Sequence, residues 1–154
     1  MSNPDHPKRQ RRLGQIFDSV PAYFLTLCTE NRKKVLCNIA AMKRAESFAL
    51  ESIRRYRVHV DCFVLMPDHV HLIITMAMGS ERTLGEWVKA FKSVVGNREI
   101  KWQAGFFDHV LRSDESRSDK WEYIRMNPVR AGLVAKPEEW GFAKQFNPFD
   151  GTEF

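Results

Sequence analysis

Two histidines separated by one residue are the clearest candidates for chemistry in this sequence. His69 and His71 lie in an apolar stretch that is typical of a strand. Because alternate residues of a strand point to the same face, both imidazoles can approach one ion, with backbones about 7 Å apart. Imidazole is a common ligand of divalent metals. By itself, the pair is compatible with a metal site or with two half-exposed histidines on a solvated strand face.

A tyrosine and an asparagine four residues apart form a second candidate pair. Tyr123 and Asn127 lie in a stretch that favours a helix, where this spacing puts both side chains on one face. If they faced the histidines, the amide oxygen could be a third metal ligand and the phenol a nucleophile. Taken alone, the pair more often means a tyrosine of the core and a polar residue at a helix end.

The spacing of apolar residues predicts the elements that would position these side chains. Strands are expected over residues 22–29, 58–66, 69–75 and 103–111, and helices over 40–56, 83–95 and 115–127. The order strand, helix, strand, strand, helix, strand matches a split βαβ pattern. We therefore expect an α+β, ferredoxin-like fold: an antiparallel four-stranded sheet with helices on one face, plus an extra C-terminal helix that carries the tyrosine.

Short local signals mark the ends of these elements. The pair Pro67-Asp68 between two apolar runs predicts a tight turn, and hence an antiparallel hairpin. Thr83 followed by Glu86 three residues later predicts a capping box at a helix start. Pro128 disfavours helical geometry in the residue before it, so the last helix should end or bend there.

The composition excludes several classes of protein. The chain has 154 residues, 44% of them hydrophobic and 28% charged. These values suit one globular domain that needs no disulfide or structural metal, and they exclude a disordered chain. The longest apolar runs fall short of the ~20 residues that a membrane span requires. The N-terminus lacks an apolar core, so no signal peptide is expected.

Charge and cysteine usage suggest a partner and a compartment. Lys and Arg exceed Asp and Glu by 24 to 19, which gives a formal net charge of +5. This excess suits an anionic partner, nucleic acid first, but suits a merely basic surface equally well. Three cysteines without a C-x-x-C motif are typical of reduced thiols in a cytoplasmic protein.

The motifs together resemble a known family. The stretch Val-Leu-Met-Pro-Asp-His-Val-His-Leu-Ile, followed by Tyr-Ile-Arg-Met-Asn-Pro-Val-Arg-Ala-Gly-Leu, is similar to the single-tyrosine HUH transposases of small bacterial insertion sequences. Within them, the REP-associated tyrosine transposases are the branch that it resembles most. The resemblance covers about residues 23 to 140. It implies a basic arm over 1–20, a catalytic domain over 21–135 and a C-terminal tail over 136–154.

The resemblance implies an activity and a role for each candidate residue. Such proteins are bacterial enzymes that bind single-stranded DNA beside a hairpin and nick and rejoin one strand through a covalent 5′-phosphotyrosine. His69 and His71 match the two metal histidines, Tyr123 matches the nucleophile, and Asn127 sits where the family has a polar third ligand. Mg²⁺ or Mn²⁺ is the expected ion. Asp68 receives no chemical role.

Several points of this mechanism remain open. Histidine ligands alone suit Zn²⁺ or Ni²⁺ as well. The general base could be His59, His109 or water, and the rival nucleophiles are Tyr23 and Tyr56. The chain could act as a monomer or as a homodimer.

Basic residues are candidates for binding the DNA backbone. Lysine and arginine neutralise phosphates, and aromatic rings stack on unpaired bases. A basic–aromatic cluster precedes the second strand, two further cations lie in the second expected helix, and another follows the last expected helix. Each could instead be an ordinary solvated charge. The candidates are Arg54, Arg55, Arg57, Lys89, Lys92 and Arg130.

Two other functions compete with a transposase. The first is a non-catalytic regulator that binds single-stranded nucleic acid on the same fold. It has no need of His69, His71, Tyr123 and Asn127 together, which weighs against it. The second is a metal-dependent phosphoesterase that uses water, in which Tyr123 is only structural.

Overall fold

The computed structural model describes residues 22–77 and 82–146, which form five strands and four helices. The expected basic arm over residues 1–20 lies outside the described residues, as do residues 147–154 of the tail. The strands are β1 (Ala22–Cys28), β2 (Val58–Leu65), β3 (His69–Met76), β4 (Phe107–Leu111) and β5 (Ala143–Gln145). The helices are α1 (Ile39–Tyr56), α2 (Leu84–Val95), α3 (Asp114–Arg125) and α4 (Asn127–Arg130). None of these helices is long and apolar enough to cross a membrane.

The strands form one antiparallel sheet in the order β4-β1-β3-β2-β5. The first six elements reproduce the split βαβ pattern, so the expected α+β class is confirmed. The sheet has one strand more than expected. The short sequence Ala-Lys-Gln of β5 has no strand pattern of its own, and it pairs because the outer edge of β2 offers free backbone groups: the Phe146 amide donates to the Asp61 carbonyl at 2.9 Å.

Helices α1 and α2 cover one face of the sheet. The buried positions of α1 recur at helical spacing and include Ala41, Ala45 and Phe48. They pack with Trp87 of α2 on a sheet face that includes Leu72. The predicted capping box of α2 is present, with Thr83 and Glu86 bonded to each other's backbone amides.

One buried hydrogen bond joins the two helices. The Trp87 indole N–H donates to Ser52 Oγ at 2.8 Å, and both residues are fully buried. Ser52→Ala leaves this N–H without its acceptor, so we expect the free energy of unfolding to fall by about 1–3 kcal/mol in urea denaturation. Ser93→Ala, on the exposed side of α2, is the matched control and should change little. Equal unfolding midpoints for the two variants would contradict this reading of the contact.

Helix α3 lies on the opposite face of the sheet, across β2, β3 and β4. It is held by a second apolar cluster in which Ile124 packs with residues such as Ile73 and Leu111. The helix ends at Arg125, two residues before the expected end, and α4 begins at Asn127. This is the bend that Pro128 predicted, but it leaves Tyr123 on α3 and Asn127 on α4, so the expectation that one helix carries both is wrong.

Candidate active site

The two histidines of β3 lie side by side. Val70 and Leu72 are fully buried in the cluster under α1 and α2, so alternation along the strand puts His69 and His71 on the face that α3 covers. Their ring centroids are 4.7 Å apart with an angle of 73° between the ring planes. The two imidazoles can therefore face one small ligand.

Each imidazole is held through its Nδ1 atom. His71 Nδ1 lies 2.9 Å from Thr26 Oγ1, and His69 Nδ1 donates to Asp68 Oδ1 at 2.8 Å. These contacts hold both rings from the Nδ1 side, so a ligand would bind at Nε2. A histidine oriented by a second group in this way is typical of metal sites.

The carboxylate of Asp68 and the guanidinium of Arg32 hold His69 in position. Arg32 donates through Nε to Asp68 Oδ2 at 3.0 Å and through Nη1 to Cys28 Sγ at 3.3 Å. Burial raises the pKa of Asp68, but hydrogen bonds from Arg32 and His69 outweigh burial and hold this pKa below its usual range. Asp68 therefore stays ionised and orients His69. The backbone of Arg32 is in the left-handed region, with φ of 53°. The preceding residue, Asn31, is in the same region, with φ of 55°.

The electrostatic setting keeps His71 neutral. Burial, and next the neighbouring His69, lower the pKa of His71 to about 3. The charges of Lys120 on α3 and Arg130 on α4 lower the pKa of His71 further. Neutral imidazole is the form that binds metals.

Tyr123 lies on the same sheet face as the histidines, with its side chain 56% exposed. Two cations flank its ring: Arg130 Cζ is 4.0 Å and Lys120 Nζ 5.2 Å from the ring centroid. Lys120 also lies 4.7 Å from the centroid of Phe24, which stacks on His71 at 5.1 Å. The predicted nucleophile is thus joined to the histidine site by a short series of contacts.

Asn127 belongs to the same group of side chains. Its Oδ1 accepts a hydrogen bond from Arg130 Nη2 at 3.0 Å, and the same guanidinium lies over Tyr123. An amide oxygen has two lone pairs, so this bond leaves Asn127 able to bind an ion. Over residues 22–77 and 82–146, no group of three or more His, Cys, Asp or Glu side chains could hold a metal. A third protein ligand beside His69 and His71 would therefore come from another type of side chain.

The rival nucleophiles lie on the other side of the sheet. Tyr23 and Tyr56 both pack against the cluster under α1 and α2, and Tyr56 lies against Phe48. Of the candidate bases, His59 is buried and bonded to Asp61. His109 is exposed and pairs with Phe24, so it shares the face of His71.

The six basic candidates for DNA contact do not form one surface. Arg54, Arg55 and Arg57 lie at the C-terminal end of α1, and Lys89 and Lys92 lie on α2. Lys92 is bonded to backbone carbonyls of the segment before β4. Arg130 is the member of this set that contacts Tyr123. The DNA contacts of all six remain predictions.

Sequence reasoning missed the groups that orient the histidines and one of the two cations beside the tyrosine, Lys120. Asp68 directly precedes His69, and this adjacency was the available signal for its role. Thr26 lies 45 residues before His71, and Arg32 lies 36 residues before Asp68. Their role depends on the pairing of β1 with β3.

Comparison with known proteins identifies the family. A family model described as "Transposase IS200 like" matches residues 20–104, a range that includes both histidines. The REP-associated tyrosine transposase of Escherichia coli K12 is 27% identical over 125 residues, covering 79% of this chain and 74% of that protein. A putative REP-associated tyrosine transposase of Haemophilus influenzae is 23% identical over 137 residues, covering 79% and 77%.

A solved structure shows the same fold. The structure of a REP-associated tyrosine transposase bound to a REP hairpin superposes with a TM-score of 0.63 at 22% identity, covering 90% of this chain and 82% of that one. This likeness confirms the α+β architecture. Since the family model spans more than half of the chain, the protein belongs to the IS200-like transposase family.

Proposed function

We propose that this protein nicks and rejoins single-stranded DNA at hairpin-associated repeats through a covalent bond to Tyr123. The observation that carries the proposal is the placement of Tyr123, exposed and flanked by two cations, on the face where His69 and His71 are held by their Nδ1 atoms. The related structure with a REP hairpin supports hairpin DNA as the substrate. The proposal includes a bacterial cytoplasmic setting, for which the three free cysteines are suited, and a monomer or homodimer.

The reaction consists of two transfers at phosphorus. Tyr123 Oη attacks the scissile phosphate, an O–P bond forms, and the bond to the 3′ oxygen breaks. The phenolic proton passes to a base, either water or His109, and the departing 3′ oxygen takes up a proton. The products are a 5′-phosphotyrosine and a free 3′-OH. A second 3′-OH can attack this link and rejoin strands without ATP, because the diester bond energy is retained.

The cations beside Tyr123 favour this attack. A developing phenolate and an anionic phosphodiester repel each other. Lys120 and Arg130 place positive charge at the ring, where it attracts the phosphate and stabilises the phenolate. Both cations are positioned before substrate arrives, because one lies on Phe24 and the other is bonded to Asn127.

The histidine pair fits a divalent metal. Both rings are held from the Nδ1 side, and His71 is neutral. We propose His69, His71 and Asn127 as the ligands, with Mg²⁺ or Mn²⁺ as the ion. Such an ion polarises a non-bridging phosphate oxygen when bound.

Removing the hydroxyl that holds His71 should weaken this site. Thr26→Val keeps the β-branched shape but removes the partner of His71 Nδ1. We expect Mn²⁺ affinity, measured by titration calorimetry, to fall by about 10- to 100-fold. Thr75→Val is the matched control, since the Thr75 hydroxyl donates to Asp61 instead. Unchanged Mn²⁺ affinity in Thr26→Val would show that this contact does not position a ligand.

A cleavage assay with end-labelled DNA tests the function itself. A single-stranded oligonucleotide that contains a hairpin is incubated with the protein and Mn²⁺, labelled at one end or the other. We expect an adduct that survives denaturation and carries the label on the 3′ side of the cut, with release of a 5′ fragment that ends in a 3′-OH. Binding without cleavage would instead indicate a regulator. Cleavage without an adduct would indicate a phosphoesterase that uses water.

A further inference from the structure

An exposed aromatic ring on the edge strand is not used by the proposed chemistry. Phe107 is the first residue of β4, and its side chain is 74% exposed, more than that of any other large apolar residue described. Exposing a phenylalanine to this degree on a regular strand is unfavourable in water. A single exposed ring is common on protein surfaces, so it is the position of Phe107 that decides what it can bind.

The sheet register places this ring beside the candidate active site. Phe107 pairs with Thr26, and Thr26 pairs with His71. Directly paired residues of antiparallel strands point to the same face, so Phe107 shares the face of the histidines. Two strand spacings separate Phe107 from His71, which is about 10 Å. A few nucleotides of a DNA strand span this distance.

Hydrogen bonds hold the backbone of residues 103–105, shortly before Phe107. Lys92 Nζ donates to the carbonyls of Gln103 and Gly105 at 3.0 and 2.7 Å. The backbone N–H of Gln103 donates to the backbone carbonyl of Cys28 at 2.9 Å. Gly105 has a φ of +78°, a value that glycine adopts without strain. The ring is therefore presented from a fixed position, which lowers the entropic cost of binding.

We propose that Phe107 is a stacking platform for an unpaired base of the substrate strand, a few nucleotides from the phosphate that Tyr123 attacks. This inference rests on the proposed function. The same face carries Lys120, Arg130 and Arg32, whose charges complement a DNA backbone. An aromatic ring on the same face as several cations is the combination that binds single-stranded nucleic acid.

Binding measurements with modified DNA test this platform. The full chain is titrated by fluorescence anisotropy, without divalent metal, against a hairpin with single-stranded extensions and against the same hairpin without them. Phe107→Ala should weaken binding of the extended hairpin about tenfold and leave the bare hairpin unchanged. Phe107→Trp should restore affinity. Val94→Ala, which truncates an exposed side chain on α2, is the control.

An abasic scan of the extensions identifies the base. In the wild type, one abasic position near the cut should lower the DNA affinity as much as Phe107→Ala does. Combining this abasic position with Phe107→Ala should lower the affinity no further. Equal affinity of Phe107→Ala and wild type for the extended hairpin would overturn the proposal. So would a change of oligomeric state in Phe107→Ala by light scattering, since the ring would then contact a second copy.

The outcomes also separate this inference from the proposed function. If wild type forms the tyrosine adduct while Phe107→Ala binds normally, the stacking platform fails alone. If no adduct forms but the loss of affinity at the abasic position still depends on Phe107, the stacking proposal is supported and the proposed covalent chemistry is wrong.

Discussion

Tyr123→Phe is expected to abolish the covalent protein–DNA adduct and to slow strand cleavage by more than about 10³-fold. The substitution removes only Oη, the attacking atom. The ring keeps its contacts with Lys120 and Arg130, and more than half of it is exposed, so neither folding nor DNA binding should suffer. Adduct formation is measured on denaturing gels, and binding by fluorescence anisotropy.

A second tyrosine provides a matched control. Tyr23 lies on the other face of the sheet, against the core under α1 and α2, so Tyr23→Phe should form the adduct as the wild type does. An adduct of normal yield in Tyr123→Phe would show that a different residue attacks the DNA. Cleavage at the normal rate without any adduct in either variant would indicate attack by water.

His71→Ala should have the second largest effect. It removes one proposed metal ligand together with the ring that Thr26 holds and Phe24 stacks on. We expect Mn²⁺ affinity and Mn²⁺-dependent cleavage each to fall by more than about 100-fold. Calorimetry measures the affinity, and circular dichroism checks that the fold is retained.

Another histidine on the same face makes this test specific. His109 pairs with Phe24 on β4 and is exposed. His109→Ala should therefore keep the Mn²⁺ affinity of the wild type, whatever its effect on proton transfer. Equal Mn²⁺ affinity of His71→Ala and wild type would exclude His71 as a ligand and with it the metal site as proposed.

The elements around the histidines were predictable because their causes are local. Alternation of apolar residues placed Val70 and Leu72 in the core and His69 and His71 together on the other face, as observed. The same holds for the capping box of α2 and for the bend before Pro128. Each depends on residues within about one helical turn or one strand.

The fifth strand was not predictable in this way. Its three residues, Ala143–Gln145, become a strand only because β2 presents an open edge to them. Helix α3 is a similar case, since Ile124 is its single buried residue and its apolar stripe is weak. Without a strong stripe, sequence periodicity does not tell which sheet face such a helix covers.

Local sequence was enough to predict the strand that puts two imidazoles on one face, because alternation along a strand depends on neighbouring residues. The one helix expected to carry both Tyr123 and Asn127 is broken between them, with Tyr123 on α3 and Asn127 at the start of α4. Packing between segments that are distant in sequence puts α3 over the histidine face, Thr26 against His71 and Arg32 against Asp68. It also puts Lys120 of α3 on the ring of Phe24 in β1. These contacts follow from strand pairing and packing between distant segments, which local sequence patterns do not encode.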